Sequence, residues 1–220
     1  MKFMEIKIVP GILEKDRDVF KDKLLKAKEF SETVFVDIID GKFAKNETVG
    51  IKELNEFSGQ IGYYVQLMTR EPIEYLNECV EAEASLILGH IELMRSQKEF
   101  VKKGKELEVN IGLALDLDTP VDFLEDSLLK EVDKILLMAV PAGFSGQKFD
   151  RKVLSKIGKL RQSGFKKDIF VDGGINEKTI SECVRVGANA FSVTSAIWKA
   201  EKPEEMLKKL RRVAEKAARR

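Results

Sequence analysis

The fourteen residues Lys134–Gln147 read KILLMAVPAGFSGQ. From Ile135 to Val140 every side chain is apolar, and no polar residue falls on alternate positions. A strand with one wet face alternates, whereas a strand covered on both faces reads as a continuous apolar run. The run is too short for a helix buried all round, and it stops at Pro141, Ala142 and Gly143. It is therefore a strand inside a parallel sheet that feeds a glycine-rich loop.

Seven more runs share this character: Glu5–Val9, Val34–Ile38, Tyr63–Leu67, Ser85–Leu88, Val109–Ala114, Ile169–Val171 and Ala190–Val193. Charged stretches with helical period lie between them, near 16–30, 51–57, 72–82, 95–104, 121–126, 149–163, 176–186 and 203–218. Strict alternation of strand and helix argues for an α/β fold with crossover helices. Pro72, Pro120 and Pro203 stand where helices would begin, and Gly104 and Gly164 where helices would end. Eight such units in 220 residues predict one closed (β/α)8 TIM barrel over 1–220. A doubly wound open sheet is the alternative.

Composition narrows the functional classes. Lys and Arg number 38 against 37 Asp and Glu, a net charge of +1, so no bulk field draws nucleic acid or an acidic membrane. Cys79 and Cys183 are too far apart in sequence and too few for a disulfide framework or a cysteine-rich zinc site. No leader of basic then apolar residues opens the chain, and no run approaches about 18 apolar residues. A cytoplasmic protein is expected. The single histidine, His90, excludes any site built on two imidazoles.

In such barrels chemistry sits at the C-terminal ends of the strands. Three of those ends carry glycine or hydroxyl residues suited to an anion: Gly143, Ser145 and Gly146 after the sixth run, Gly173 and Gly174 after the seventh, Thr194 and Ser195 after the eighth. Backbone N–H groups there can approach a phosphate closely. The plainer alternative is that the glycines only make tight turns, but three adjacent loops favour phosphate. Asp37 and Asp172 interrupt apolar runs near their ends, where a carboxylate is costly to bury without a role. On opposite sides of a barrel mouth, they could pass a proton in from one face and out from the other. Asp40, before Gly41, suits a turn-capping role instead.

Taken together, several motifs resemble the ribulose-phosphate 3-epimerase family along nearly the whole chain. They are Pro10-Gly11-Ile12-Leu13, Val36–Phe43 with Asn46, Gln66-Leu67-Met68 with Glu71-Pro72, Leu136-Leu137-Met138, Gly143–Gln147, Val171–Asn176 and Ser195-Ala196-Ile197. The resemblance implies a barrel of the ribulose-phosphate-binding type. It implies inversion of carbon 3 of a pentulose 5-phosphate through an enediolate, with Asp37 and Asp172 as acid and base. It also implies Met68 and Met138 around the enediolate. The family's divalent metal is held by those two Asp and by two His. Here the histidine positions are Phe35 and Gln66. A phenyl ring cannot ligate, and an amide is a weak zinc ligand. Gly11 stands where the family has a substrate-contacting Ser.

These departures give the expectations. No metal cofactor is expected, although zinc or iron would bind if the site were rebuilt, with His90 one candidate ligand. Gly11, Phe35, Gln66, Met68, His90 and Met138 are expected to form the substrate pocket. The leading reading is an epimerase acting on a small-molecule sugar phosphate without the usual metal, with a homo-oligomer possible. The alternatives are a phosphosugar-binding protein that has lost catalysis, or another phosphate-binding barrel isomerase or aldolase using Lys42. Lys42 and Lys45 are otherwise solvated loop residues.

Overall fold

The computed structural model describes residues 5–219. Met1–Met4, on which part of the leader expectation rests, and Arg220 lie outside them. Eight strands run β1 Lys7–Ile12, β2 Thr33–Ile39, β3 Gly62–Met68, β4 Ala84–His90, β5 Asn110–Leu115, β6 Lys134–Met138, β7 Asp168–Asp172 and β8 Ala190–Val193. All neighbours are parallel, and β8 pairs back on β1, so the sheet is a closed barrel. The helices are α1 Arg17–Ala27, α2 Lys52–Asn55, α3 Leu76–Glu81, α4 Gln97–Glu106, α5 Lys152–Gln162, α6 Glu177–Arg185, α7 Ser195–Trp198 and α8 Pro203–Ala218. Among the described residues no helix is long and apolar enough to cross a membrane.

Four boundaries differ from expectation. Pro10 and Gly11, read as the end of the first strand, continue it: Pro10 pairs with Val193 and Gly11 with Phe35. A missing N–H removes one ladder bond but leaves the chain extended. The sixth strand stops at Met138, because Ala139 and Val140 turn away while Ala139 N–H still bonds Asp172 O at 2.7 Å. The fifth crossover is no α-helix but two 3-10 turns, Val121–Phe123 and Asp126–Lys130, separated where Leu124 is extended. Gly104 lies inside α4, packed on Ile111, and it is Glu108, at φ +56°, that takes the left-handed backbone just beyond the helix.

Two apolar layers hold the barrel. The outer one lies between sheet and helices and includes Phe20, Leu24, Ile157, Leu160 and Ile180. The inner one fills the barrel itself and includes Val9, Phe35, Leu88, Leu136 and Phe170. Each such side chain contributes about 1.5–3 kcal/mol on burial. Phe170 stacks against Phe35 at 5.8 Å between ring centres and meets Tyr64 edge-on at 5.9 Å. This packed floor closes the barrel beneath the strand ends.

The N-terminal end of the barrel carries a polar staple. Asp168 at the start of β7 accepts from Lys7 Nζ at 2.8 Å, Lys134 Nζ at 2.6 Å and Asn189 Nδ2 at 2.6 Å. Burial alone would raise its pKa, but these donors outweigh burial and hold it at about 2. At the other end of the same strand, Asn176 caps α6 by accepting from the N–H groups of Lys178 and Thr179. That cap anchors the loop that follows Asp172.

Candidate active site

The C-terminal end of the barrel opens into a cleft of about 440 Å³, open solvent at its mouth included. Asp37, inside β2, and Asp172, the last residue of β7, both line it. Met68 and Met138 line it too, as the sequence suggested, together with Ser192 of β8. Asp37 is buried and its Oδ1 has no hydrogen-bond partner. Thr48 Oγ1 bonds the Asp37 carbonyl at 2.9 Å and so fixes this stretch of backbone. Asp40 does not reach the cleft. Its Oδ1 accepts from Lys42 N and Phe43 N, and its Oδ2 from Arg70 N, which is the capping role read from the sequence.

The two carboxylates are raised above the ordinary aspartate range. Burial pushes Asp37 well up, and the negative charge of Asp172 pushes it further. Burial also raises Asp172, to about 6. The nearby Ser192 hydroxyl, the Gly173 N–H and His90 act in the opposite sense on Asp172. Ser192 Oγ lies close enough to pull on that carboxylate, yet it is not in hydrogen-bond geometry with any partner. The pair therefore titrates in two steps, with Asp172 ionising first and its charge then holding Asp37 further up.

One wall of the cleft is made of the loops that follow β6, β7 and β8. Gly143, Ser145, Gly146, Gly173, Gly174, Thr194 and Ser195 all line it. The loop after β6 is held from three sides. Ala142 N–H bonds Asp116 Oδ1 at 2.9 Å, Asn46 Nδ2 bonds Gly143 O at 2.6 Å, and Gln147 Nε2 bonds Pro141 O at 2.7 Å. Gly174 is required by its surroundings. Its φ is +64°, and a Cβ there would lie 2.6 Å from Phe149 N.

Four residues expected in the substrate pocket lie outside its lining. Phe35 points into the barrel floor against Phe170, one layer below the cleft. Gln66 is fully buried beside His90: its Nε2 lies 2.8 Å from His90 Nε2 and 3.1 Å from Met138 Sδ. His90 Nδ1 lies 3.0 Å from Glu92 Oε2, and the Phe43 ring covers the imidazole at 4.8 Å. Burial would raise Glu92, but His90 and the Asp116 N–H hold it at about 2. An ionised Glu92 accepts a hydrogen bond from His90 Nδ1–H, and the Nε2 lone pair then accepts from the Gln66 amide. Gly11 shapes the site without lining it: a Cβ there would run into Thr194 Oγ1 and lie 2.9 Å from Ser192 Oγ. Lys42 and Lys45 stand exposed outside the cleft lining.

Residues 7–198 match the model of the ribulose-phosphate 3 epimerase family. The chain is 34% identical to the ribulose-phosphate 3-epimerase of Methanocaldococcus jannaschii over 220 residues, covering 95% of this chain and 91% of that protein. It is 30% identical to the ribulose-phosphate 3-epimerase of Schizosaccharomyces pombe, covering 97% of this chain and 96% of that protein. The chain belongs to the ribulose-phosphate 3-epimerase family. Among solved structures, orotidine 5'-phosphate decarboxylase from Pyrococcus horikoshii shares the fold, with a TM-score of 0.66 at 16% identity, covering 94% of this chain and 99% of that one.

Membership makes the metal question concrete. The donor set at the four family positions is two carboxylates, a phenyl ring and an amide. The phenyl ring packs on Phe170 and can offer nothing, while Gln66, its amide nitrogen engaged with His90 and Met138, could offer only its buried carbonyl oxygen, a weak zinc ligand. His90 itself is already bonded at both ring nitrogens. These residues do not fit the epimerase family's four-ligand centre. Among the described residues no three His, Cys, Asp or Glu side chains converge elsewhere to replace it.

Sequence reasoning missed several lining residues: Leu13, Val140, Phe144, Gln147, Ile175 and Ser192. Ser192 had a usable signal. It is a polar interruption of the apolar run Ala190–Val193, the same irregularity that drew attention to Asp37 and Asp172. Phe144 stands half exposed at the mouth, where an aromatic ring on a glycine-rich loop gives no sequence cue to its direction.

Proposed function

We propose that the protein epimerises a ketopentose 5-phosphate at carbon 3, with Asp37 and Asp172 as the proton carriers and without a divalent ion held at the family's ligand positions. The observation that carries this is the pair of buried, raised carboxylates in one cleft whose far wall is built from three anion loops. The phosphate belongs against Gly143, Ser145, Gly146, Gly173, Gly174, Thr194 and Ser195, whose N–H and O–H groups suit a dianion. That anchoring places the sugar's other end between the carboxylates.

The step balances on the chain's own residues. Ionised Asp172 takes the carbon-3 proton. The C–H electron pair becomes the C2–C3 double bond, and the carbonyl π pair moves to the C2 oxygen. Protonated Asp37 then delivers its proton to carbon 3 from the opposite face, and the carbonyl reforms. The reverse reaction uses the exchanged protonation states. Met68 and Met138 keep water from the planar intermediate while offering polarisable contact.

The test is solvent exchange. Chelator-treated protein is mixed with ribulose 5-phosphate in deuterium oxide, and the carbon-3 proton is followed by NMR. Loss of that signal with growth of the carbon-3 epimer is expected, at a rate that chelator leaves unchanged. Absence of exchange, with and without added zinc, overturns the reading.

A further inference from the structure

We infer that Ser192 is a catalytic hydroxyl, donating its proton in a hydrogen bond to the C2 oxygen of the bound sugar as negative charge builds there. This rests on the reading above and supplies what it lacks, a donor at the enediolate oxygen.

Strand register carries the argument. Asp172 on β7 has two lateral neighbours in the sheet, Met138 on β6 and Ser192 on β8. A substrate with carbon 3 at Asp172 has its C2 oxygen on one side or the other, since C2 and C3 are bonded. On the β6 side it meets a thioether, which has no proton to donate. On the β8 side it meets Ser192, which lines the cleft and is buried, with its Oγ in full hydrogen-bond geometry with no group among the described residues and only the Asp172 carboxylate close enough to feel it. A buried hydroxyl without a partner is uncommon, because it has given up water for nothing. A ligand oxygen arriving in the cleft is the partner it lacks. The β1 side agrees. Gly11 has no side chain, and any Cβ placed there would press on Ser192 Oγ and Thr194 Oγ1. The absent side chain on β1 leaves the hydroxyls of β8 in place. The pull that Ser192 exerts on Asp172 supports the same proximity.

Ser192→Ala tests this without threatening the fold, because it removes one oxygen whose nearest polar neighbour is the Asp172 carboxylate rather than any backbone group. Thermal unfolding should stay level or shift upward. The exchange rate constant kcat should fall about 10²–10³-fold, as on loss of one preorganised donor to an oxyanion, with KM little changed. A second readout does not depend on turnover. A four-carbon phosphorylated hydroxamate, which imitates the planar enediolate, should bind the Ser192→Ala protein at least about tenfold more weakly by calorimetry. Wild-type exchange that Ser192→Ala leaves within twofold overturns the Ser192 assignment alone. No wild-type exchange, with hydroxamate binding that still depends on Ser192, overturns the epimerase reading alone. Neither exchange nor hydroxamate binding overturns both.

Discussion

Asp172→Asn should slow carbon-3 exchange by about 10³-fold, within the range lost when a positioned general base is removed. An amide of the same shape keeps the cleft but cannot accept the proton. In the unmodified protein the rate should rise as pH climbs through about 6, where Asp172 ionises, and fall again where Asp37 loses its proton. Stability should move the opposite way. A carboxyl whose folded pKa is raised binds more protons in the native state than in the unfolded chain, so stability declines as pH rises from the unfolded value toward about 6. At pH 7 Asp172→Asn should therefore melt higher, by ~5 °C, and at pH 4 most of that gain should vanish. Rate profiles and melting curves at the two pH values check both arms. A variant that loses activity and also melts lower at pH 7 would make Asp172 a structural residue.

The double variant Phe35→His with Gln66→His should convert the protein into a zinc binder. Asp37 and Asp172 remain in place, and the two substitutions supply the nitrogen donors that zinc prefers. A gain on the order of 10³-fold in zinc affinity over the parent is expected, because two carboxylates alone hold the ion weakly. The change is costly without metal. It removes the Phe35–Phe170 stack and puts a polar ring into an apolar layer, a loss of roughly 2–4 kcal/mol. Zinc should return much of that stability, since it binds only the folded site. Calorimetric titration and melting with and without zinc read the effect. If the double variant takes up no zinc, the two positions are not the missing half of a metal centre.

The barrel was legible because continuous apolar runs and charged stretches of helical period alternate along the chain, even though the fifth crossover folds as two 3-10 turns. Its boundaries were less so. Pro10 and Gly11 look like punctuation, but their neighbours on both sides keep them extended. Gly104 looks like a helix end, but its value is close approach to Ile111. In the site, Asp37 and Asp172 could be named because a carboxylate in an apolar strand is expensive. The glycine loops could be named because they recur on three adjacent strands. Height along the barrel was not legible. Alternation tells which face a side chain takes, not how deep it sits, so Phe35 was placed in the pocket rather than beneath it, and Gln66, level with Asp37, was placed there although it turns behind Met138 toward His90. His90 was placed there too, because nothing in the sequence shows that Phe43 folds over it.

Strand β7 carries a carboxylate at each end, one held at about 2 by lysines and one raised to about 6 by burial. As pH falls below 6, the upper end takes up its proton and, in the proposed reaction, can no longer accept one from carbon 3. The lower end keeps its ion pairs until far more acidic conditions. Between those limits protonation of Asp172 favours the native state, and the ion pairs of Asp168 persist. If Asp172 is the base proposed above, mild acid should be a reversible brake on this barrel, released on neutralisation with no need to refold.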